Sequence, residues 1–351
     1  MYGRGSVGIC APEASVTADI LLIANKRYQS YLLRGCISVL AHYFPLFRQL
    51  RVKKTYTPRT RLKMQTFSFA DKYTEVGVIE ESEYQRLVEA QDKATGERYL
   101  CRQISLEEYT TKVYELCKTD ITLSTQVVSP FFATVHEATY EAKSRKVFVL
   151  MEDFPMGTLN DYLYSLPDDE FLPETTCWSL LACLVEAICQ LHEPSRMKDI
   201  EHRFTRAIVH RYIMPRRIFM VSETRCKLAD IGWSRDLLSM EGKMGYIQGT
   251  LQYYAPELIV NESYGREVDI FALGCTMYEI MMKRVLVEDD PEEPLKALEK
   301  IRLPLIITTY SKKLVNLVSS MLNPDPKKRP TAFEMRTIPE IANVLKAEFS
   351  I

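Results

Sequence analysis

The side chains that could bind a metal ion or carry redox chemistry show no spacing typical of a site. The chain has nine cysteines and five histidines, and no two cysteines are separated as in CxxC. Structural zinc sites need closely spaced Cys or His ligands, so we expect no zinc site. Cys177, Cys183 and Cys189 recur every six residues, which we interpret as small apolar positions on a buried helix. An odd number of cysteines without framework spacing indicates reduced thiols in a cytosolic protein.

Charged side chains are distributed unevenly along the 351 residues. The formal net charge is -1, which favours neither nucleic acid nor a membrane as a partner. Residues 20 to 70 carry ten Lys or Arg and no Asp or Glu, whereas the rest of the chain is acidic. The sequence contains no run of 18 apolar residues, so it does not predict a membrane span. We expect residues 1 to 69 to be a disordered basic extension, or in part a segment that precedes a true start at Met64.

Segments typical of strands come first in the remaining sequence, and segments typical of helices dominate from residue 174. The sequence DKATG at residues 92 to 96 predicts a hairpin turn. This order predicts an α+β fold with a small sheet-rich lobe (residues 70 to 154) and a larger helical lobe (residues 155 to 345). The predicted strands are residues 73 to 79, 84 to 91, 98 to 104 and 146 to 152, and the predicted helices are residues 106 to 127, 174 to 191, 268 to 282 and 314 to 322.

Six short motifs occur in a fixed order along these two lobes. They are FVLMEDF (148 to 154), VHRYIMPRRIF (209 to 219), KLADIG (227 to 232), GTLQYYAPEL (249 to 258), DIFALG (269 to 274) and DPKKRPT (325 to 331). Together they resemble the motifs of the eukaryotic protein kinases. The long gap between His192 and His210, with the segment NPDPKKRPTA, resembles the NIMA-related (NEK) group. The resemblance implies a two-lobed kinase fold whose hinge contains Met151, Glu152 and Phe154, with Met151 at the gatekeeper position.

The loop that covers the nucleotide phosphates in this family has lost its glycines. Three glycines normally let backbone N–H groups approach the phosphates. The corresponding positions here are Glu80, Ser82 and Gln85, and the loop reads Glu80-Glu81-Ser82-Glu83. The repulsion between one carboxylate and one phosphate charge a few ångströms apart would cost on the order of 1 to 4 kcal/mol. We therefore expect this loop to disfavour nucleotide binding.

The lysine that contacts the α- and β-phosphates in the family is also replaced. Its position in V-A-I-K aligns with Arg102, which keeps the positive charge but carries a wide planar guanidinium. Its glutamate partner in the family aligns with Asp120. The resemblance therefore implies an Arg102–Asp120 ion pair with a structural role.

The catalytic loop departs furthest from the family motif H-R-D-L-x-x-x-N. Tyr212 stands at the aspartate position, Met214 at that of a lysine two residues later, and Arg217 at the asparagine position. A neutral phenol cannot act as a carboxylate base at pH 7. Losing a general base typically costs about 10²- to 10⁴-fold in rate. Arg217 places a cation where a second Mg²⁺ would bind, so we expect the surviving metal ligand Asp230 to form a salt bridge with Arg217 or Arg216.

Positions with architectural roles in the family are retained. The resemblance implies that Glu257 pairs with Arg329 and that Asp269 supports the backbone of the catalytic loop. Arg211 could bind a phosphate on the activation segment. The retained positions are His210, Arg211, Gly232, Glu257, Asp269 and Arg329.

The joint loss at Arg102, Tyr212, Met214 and Arg217 predicts a pseudokinase rather than an enzyme, with no cofactor. Its predicted role is that of a scaffold or allosteric partner in signalling, bound to other proteins such as active kinases or their substrates. Two alternatives remain: a weakly active or atypical Ser/Thr kinase that uses ATP and Mg²⁺, and a switch that binds ATP without turnover. The resemblance implies a cytoplasmic protein associated with the cytoskeleton, and we expect no nucleic acid or membrane partner.

Overall fold

The computed structural model describes nine segments of the chain. All of them lie in one compact unit, which comprises Thr57–Lys243 and Gln248–Ile351. The predicted basic extension, except for residues 68 and 69, and the predicted helix at residues 106 to 127 lie outside the described residues. The described segments are residues 68–81, 85–105, 129–141, 143–196, 207–231, 235–236, 251–259, 264–286 and 309–351.

The N-terminal lobe is an antiparallel sheet of five strands, preceded by a one-turn helix, α1 (Phe69–Lys72). The spatial order is β1-β2-β3-β5-β4, so the first and fourth strands are the edges. In the turn after the second strand, Gly96 has a φ of 75°, which glycine adopts without steric cost. The strands are β1 (Tyr73–Glu81), β2 (Gln85–Asp92), β3 (Arg98–Ser105), β4 (Val135–Glu141) and β5 (Lys146–Met151).

Side chains of β3 alternate between two apolar clusters on opposite faces of the sheet. Cys101 packs with Phe148 on one face. Leu100 packs on the other face, in a cluster that includes Phe219 of the helical lobe. Because successive side chains of a strand point to opposite faces, Arg102 shares the face of Leu100 and is directed toward the helical lobe.

The C-terminal lobe is built around a long buried helix, α3. Every residue of α3 from Thr176 to His192 is buried, including the three cysteines that recur every six residues. In the described part of the chain, α3 alone is long and apolar enough to cross a membrane, and 94% of that stretch is buried inside the protein. The helices of this lobe are α2 (Leu159–Ser165), α3 (Glu174–His192), α4 (Pro256–Ile259), α5 (Glu267–Met282), α6 (Lys312–Met321), α7 (Ala332–Arg336) and α8 (Pro339–Phe349).

Four short strands follow α3: β6 (Ile208–Val209), β7 (Ile218–Ser222), β8 (Arg225–Leu228) and β9 (Arg235–Asp236). Strands β7 and β8 form a hairpin, and a 3₁₀ turn, Pro215–Arg217, precedes β7. The Ala229 N–H donates to the Arg217 carbonyl at 2.9 Å. The hairpin therefore brings Arg217 beside Asp230, which follows β8.

The predicted α+β class, with a sheet-rich first lobe and a helical second lobe, is confirmed. The ends of the four predicted strands agree with the structure to within two residues. The sequence did not predict β4, whose residues, VHEATYE, mix polar and apolar side chains without a clean alternation. This is consistent with its place at the edge of the sheet, where a strand is only partly buried.

Candidate functional site

One buried carboxylate holds the loop between β6 and the 3₁₀ turn. Asp269, in the first turn of α5, accepts the backbone N–H groups of His210 and Arg211 at 2.7 Å each. Its Oδ2 also lies 2.7 Å from His192 Nε2. Burial would raise the pKa of Asp269, but the hydrogen bonds from His192 and from the Arg211 N–H, with the electrostatic interactions of His192 and His210, together lower it. The ionised carboxylate thus fixes the loop backbone.

His210 connects this loop to the segment after β8. Its Nδ1 accepts the N–H of Tyr212 at 3.2 Å, so its ring proton lies on Nε2 and donates to the Ala229 carbonyl at 2.8 Å. Burial lowers the pKa of His210, which keeps the ring neutral. The position of Asp230, the next residue after Ala229, is therefore tied to the loop.

The expected pair between Glu257 and Arg329 is present. Arg329 Nη1 and Nη2 donate to the two carboxylate oxygens of Glu257 at 2.6 and 2.9 Å, and both side chains are buried. Arg329 also donates to backbone carbonyls, including that of Asn323 at 2.8 Å. We refer to Asp269, His210, Glu257 and Arg329 as the loop frame.

Arg217 contacts two carboxylates from opposite lobes. Its Nη1 and Nη2 donate to the two oxygens of Glu80 at 2.8 and 3.1 Å, and its Nε lies 3.2 Å from Asp230 Oδ2. The Arg217 side chain is only 2% exposed, whereas that of Glu80 is 32% exposed. Desolvation would lower the pKa of Arg217, but the carboxylates of Asp230 and Glu80 raise it. Arg217 therefore remains a cation inside the cleft.

Arg102 has a partner that the sequence did not predict. The expected partner, Asp120, lies outside the described residues, and Arg102 Nη1 pairs with Asp230 Oδ1. Both side chains are nearly inaccessible, and Arg102 Nη2 has no hydrogen-bond partner among the described residues. The pairing follows from the direction of the Arg102 side chain, which leaves the sheet toward the end of β8. We refer to Arg102, Asp230, Arg217 and Glu80 as the cleft network.

Asp230 is shared by two guanidinium groups. The salt bridge expected between Asp230 and Arg217 is present, whereas the charge of Arg216 acts on Glu279. Asp230 has a φ of 71° and Arg211 one of 66°, a left-handed conformation that costs a non-glycine residue about 1 to 3 kcal/mol. Both loops that border the cleft therefore keep strained backbones, as functional sites often do.

Tyr212 and Met214 bring neutral groups to the catalytic loop. The Tyr212 hydroxyl accepts from Arg217 Nη2 at 3.2 Å, and the Arg217 guanidinium carbon lies 4.8 Å from the centre of the Tyr212 ring. The Met214 side chain is buried, and its carbonyl accepts the Arg217 N–H at 2.9 Å. Both residues therefore help to position Arg217.

Seven apolar side chains form one buried cluster beside the hinge, with members from both lobes. Phe154 stacks on Phe219 with ring centroids 4.7 Å apart, and Met151, at the gatekeeper position, is 3% exposed. The hinge residue Glu152 accepts from Lys227 Nζ and from the Thr134 N–H, each at 2.7 Å. A planar base that stacked on Phe219 would have to displace the Phe154 ring. The members of this interlobe cluster are Leu87, Leu100, Ala133, Met151, Phe154, Phe219 and Ala229.

Two further groups of buried contacts were not predicted. The Glu80–Arg217 pair joins residues 137 positions apart, which no local pattern signals. Glu279 accepts from the Tyr253 and Tyr164 hydroxyls at 2.5 and 2.9 Å, and burial raises its pKa. The available signal for Glu279 was the one carboxylate that follows the first turn of the largely apolar helix α5.

Some predicted positions lie outside the described part of the chain. These include the activation segment that Arg211 was expected to contact through a phosphate. They also include most of the phosphate-covering loop, although Glu80 itself is described. The positions concerned are Ser82, the side chain of Gln85, Asp120 and Gly232.

The family model of the protein kinase domain matches residues 73–339. The chain belongs to the protein kinase family. It is 26% identical over 270 residues to the G2-specific protein kinase nimA of Emericella nidulans, covering 69% of this chain and 37% of that protein. It is 25% identical over 250 residues to the serine/threonine-protein kinase Nek3 of Oryza sativa subsp. japonica, covering 71% and 40%. The serine/threonine-protein kinase Nek4 of Mus musculus is 23% identical over 260 residues, covering 74% and 31%.

These comparisons confirm the resemblance to the NEK group and correct one prediction. The chain spans less than half the length of these three relatives. All three are named as protein kinases, and two as serine/threonine-protein kinases. The expectation that the chain is not an enzyme is therefore wrong, because the matched family and relatives are kinases.

Protein kinases use ATP with Mg²⁺, and the described arrangement of the cleft does not fit that pair. Mg²⁺ is bound through oxygen ligands. Both oxygens of Asp230 face the guanidinium groups of Arg102 and Arg217. In the described segments, no group of three or more His, Cys, Asp or Glu side chains could hold a metal. The Phe154 ring also covers the face of Phe219 beside the hinge.

Proposed function

We propose that this protein is an atypical serine/threonine protein kinase that transfers phosphate slowly and whose resting state is closed. The cleft network carries this proposal, because it places the cations Arg102 and Arg217 where the family handles phosphates. The match to the protein kinase family over both lobes supports kinase chemistry. The names of the relatives support serine or threonine as the acceptor residue.

Slow transfer follows from the residue at the base position. Tyr212 can hydrogen-bond to an acceptor hydroxyl, but a neutral phenol takes its proton poorly at pH 7. The loss of a positioned base typically costs about 10²- to 10⁴-fold in rate. The loop frame still holds the backbone around Tyr212, so the geometric part of catalysis is retained.

The two cleft arginines can stabilise negative charge that develops during phosphoryl transfer. Preorganised cations in a site that excludes water act more strongly than they would in bulk solvent. Arg102 and Arg217 are held in place by Asp230 and are almost fully buried. Access for a nucleotide requires the Glu80–Arg217 pair to open and Phe154 to separate from Phe219. We call the resting state closed because both of these contacts must separate before a nucleotide can bind.

The test is phosphotransfer by the full chain with labelled ATP, Mg²⁺ and a generic protein substrate. We expect labelled serine or threonine by mass spectrometry, at a rate about 10²- to 10⁴-fold below that of a NEK relative assayed in parallel. An Arg102→Met chain, purified in the same way, serves as the control, because it removes one cleft cation and should be slower. Equal labelling by both preparations would indicate a contaminating kinase and would overturn the proposal.

A scaffold role for other proteins, such as active kinases or their substrates, is the second candidate function. The supporting observation is that charge pairs and apolar packing join the two lobes without a ligand. A surface built on this arrangement would be present whether or not nucleotide is bound. We propose a cytoplasmic location for either function.

A further inference from the structure

The charges of the cleft network leave no role for a divalent cation. Two guanidinium groups face two carboxylates, so the four side chains are electrically balanced. A Mg²⁺ ion at Asp230 would have to displace Arg102 or Arg217, and the displaced guanidinium would be close to a second cation. An incoming anion meets no such obstacle if it replaces one of the carboxylates.

Glu80 is the carboxylate that can be replaced. The Asp230 side chain is 1% exposed and contacts both arginines. The Glu80 side chain lies near the end of edge strand β1, is 32% exposed and contacts Arg217 but not Arg102. Glu80 can therefore return to solvent readily, because its carboxylate is already partly hydrated. The two parallel bonds from Arg217 to Glu80 have the fork geometry that guanidinium also forms with phosphate.

Three sets of donors belong to the cleft network or contact it directly. Nη1 and Nη2 of Arg217 become free when Glu80 leaves. Arg102 Nη2 is a buried donor with no partner among the described residues. The Tyr212 hydroxyl accepts from Arg217 and retains its own proton for donation. A chain of phosphates offers several acceptor oxygens along its length, which a single phosphate does not.

We propose that Arg102 and Arg217 form a metal-independent binding site for a polyphosphate chain, with the Glu80 carboxylate as an internal competitor. The arginines supply the positive charge that Mg²⁺ supplies in other members of the family. Because the Phe154 ring covers the face of Phe219 beside the hinge, the polyphosphate provides most of the affinity and an attached base adds little. The inference rests on the proposed function, since this site would hold the triphosphate during transfer.

The test is titration calorimetry of the full chain with inorganic tripolyphosphate and with ATP, each in EDTA and in excess Mg²⁺. The key variant is Glu80→Gln, which keeps the side-chain length and removes the competing charge. Glu81→Gln is the matched control, because Glu81 neighbours Glu80 on the same strand and pairs with Arg86 instead. Circular dichroism establishes that all chains are folded.

We expect Glu80→Gln to bind tripolyphosphate in EDTA about tenfold more tightly than the wild type, from the removal of one nearby like charge. Glu81→Gln should differ from the wild type by less than about twofold, because its charge is exposed and screened. Tripolyphosphate and ATP should bind within about threefold of each other, and Mg²⁺ should not tighten either. Binding that requires Mg²⁺, or equal affinity in Glu80→Gln and Glu81→Gln, would overturn the inference.

The two proposals fail in distinguishable ways. Metal-free binding without phosphotransfer would leave this site intact and remove the proposed kinase activity. Mg²⁺-dependent phosphotransfer without metal-free binding would do the opposite. Much tighter binding of ATP than of tripolyphosphate would show that the base enters the interlobe cluster, and it would overturn the assignment of the affinity to the phosphates.

Discussion

The loop frame and the cleft network both contain buried charges, but those charges are bonded to different things. In the loop frame, Asp269 accepts two backbone N–H groups, and Arg329 donates to backbone carbonyls as well as to Glu257. In the cleft network, the charged side chains contact chiefly one another, from Arg102 through Asp230 and Arg217 to Glu80. Side chains bonded to fixed backbone groups have one arrangement, whereas side chains bonded to each other can exchange partners.

The difference separates the part of the molecule that holds the fold from the part that can respond to a ligand. Removing a charge from the loop frame leaves a buried partner uncompensated. Removing one carboxylate from the cleft network leaves the other carboxylate close to at least one of the two arginines. The loop frame should therefore be sensitive to substitution, and the cleft network should tolerate it better.

The largest effect is expected for Glu257→Ala, in the loop frame. This change leaves the Arg329 guanidinium, whose side chain is 0% exposed, without its counter-charge. Breaking a buried ion pair typically costs about 3 to 5 kcal/mol of folding free energy. Urea unfolding of the full chain measures the loss. Affinity capture from cells should also show fewer bound partners if the protein acts as a scaffold.

The control for Glu257→Ala is Lys313→Ala, which breaks the exposed pair between Lys313 and Glu340. Exposed pairs contribute about 0 to 1 kcal/mol, so this variant should unfold near the wild-type midpoint. Similar losses in the two variants would contradict the idea that the loop frame carries stability.

An intermediate effect is expected for Asp230→Asn, in the cleft network. Arg102 loses its counter-charge, but the amide oxygen can still accept a hydrogen bond from it, and Glu80 still balances Arg217, so we expect a loss of about 1 to 3 kcal/mol. The same urea experiment gives the value, with Asp153→Asn as the control because Asp153 lies 3.8 Å from Arg98 in a more exposed pair. A loss from Asp230→Asn that exceeds the loss from Glu257→Ala would reverse the comparison.

The loop frame could be predicted from the sequence far better than the cleft network. Glu257, Asp269 and Arg329 lie in motifs whose order and spacing identify them, and each has one partner in the resemblance. The contact of Arg102 with Asp230 was not predicted, because alignment alone does not show which carboxylates an inward-facing side chain can reach. The Glu80 contact depends on how the two lobes meet. That geometry is set by the packing of Phe154 on Phe219 rather than by any local pattern.

The smallest effect, and the one that tests the link between the two regions, is the pH dependence due to His210. Burial lowers the pKa of His210 from its ordinary value of 6.5, against the charges of Asp269 and Asp230, which raise it; the charge of Arg211 also lowers it. The unfolded chain therefore takes up this proton first as pH falls. The neutral ring contributes its full stability above pH 6.5, and that contribution is lost as the pH falls below 6.5 toward the lowered value.

We expect the free energy of unfolding to fall by at most about 1.4 kcal/mol per pH unit from this group between pH 6.5 and pH 5. Asp269 does not act in this window, because its lowered pKa places its contribution below its ordinary value of 3.8. His210→Asn keeps an acceptor for the Tyr212 N–H but has no titrating ring. It should be less stable than the wild type at pH 7 and show a flatter pH dependence. His136→Asn, on the exposed side of β4, should keep the wild-type slope. If His210→Asn keeps the wild-type slope as well, the ring between the loop and Asp230 is not the neutral, buried link described above.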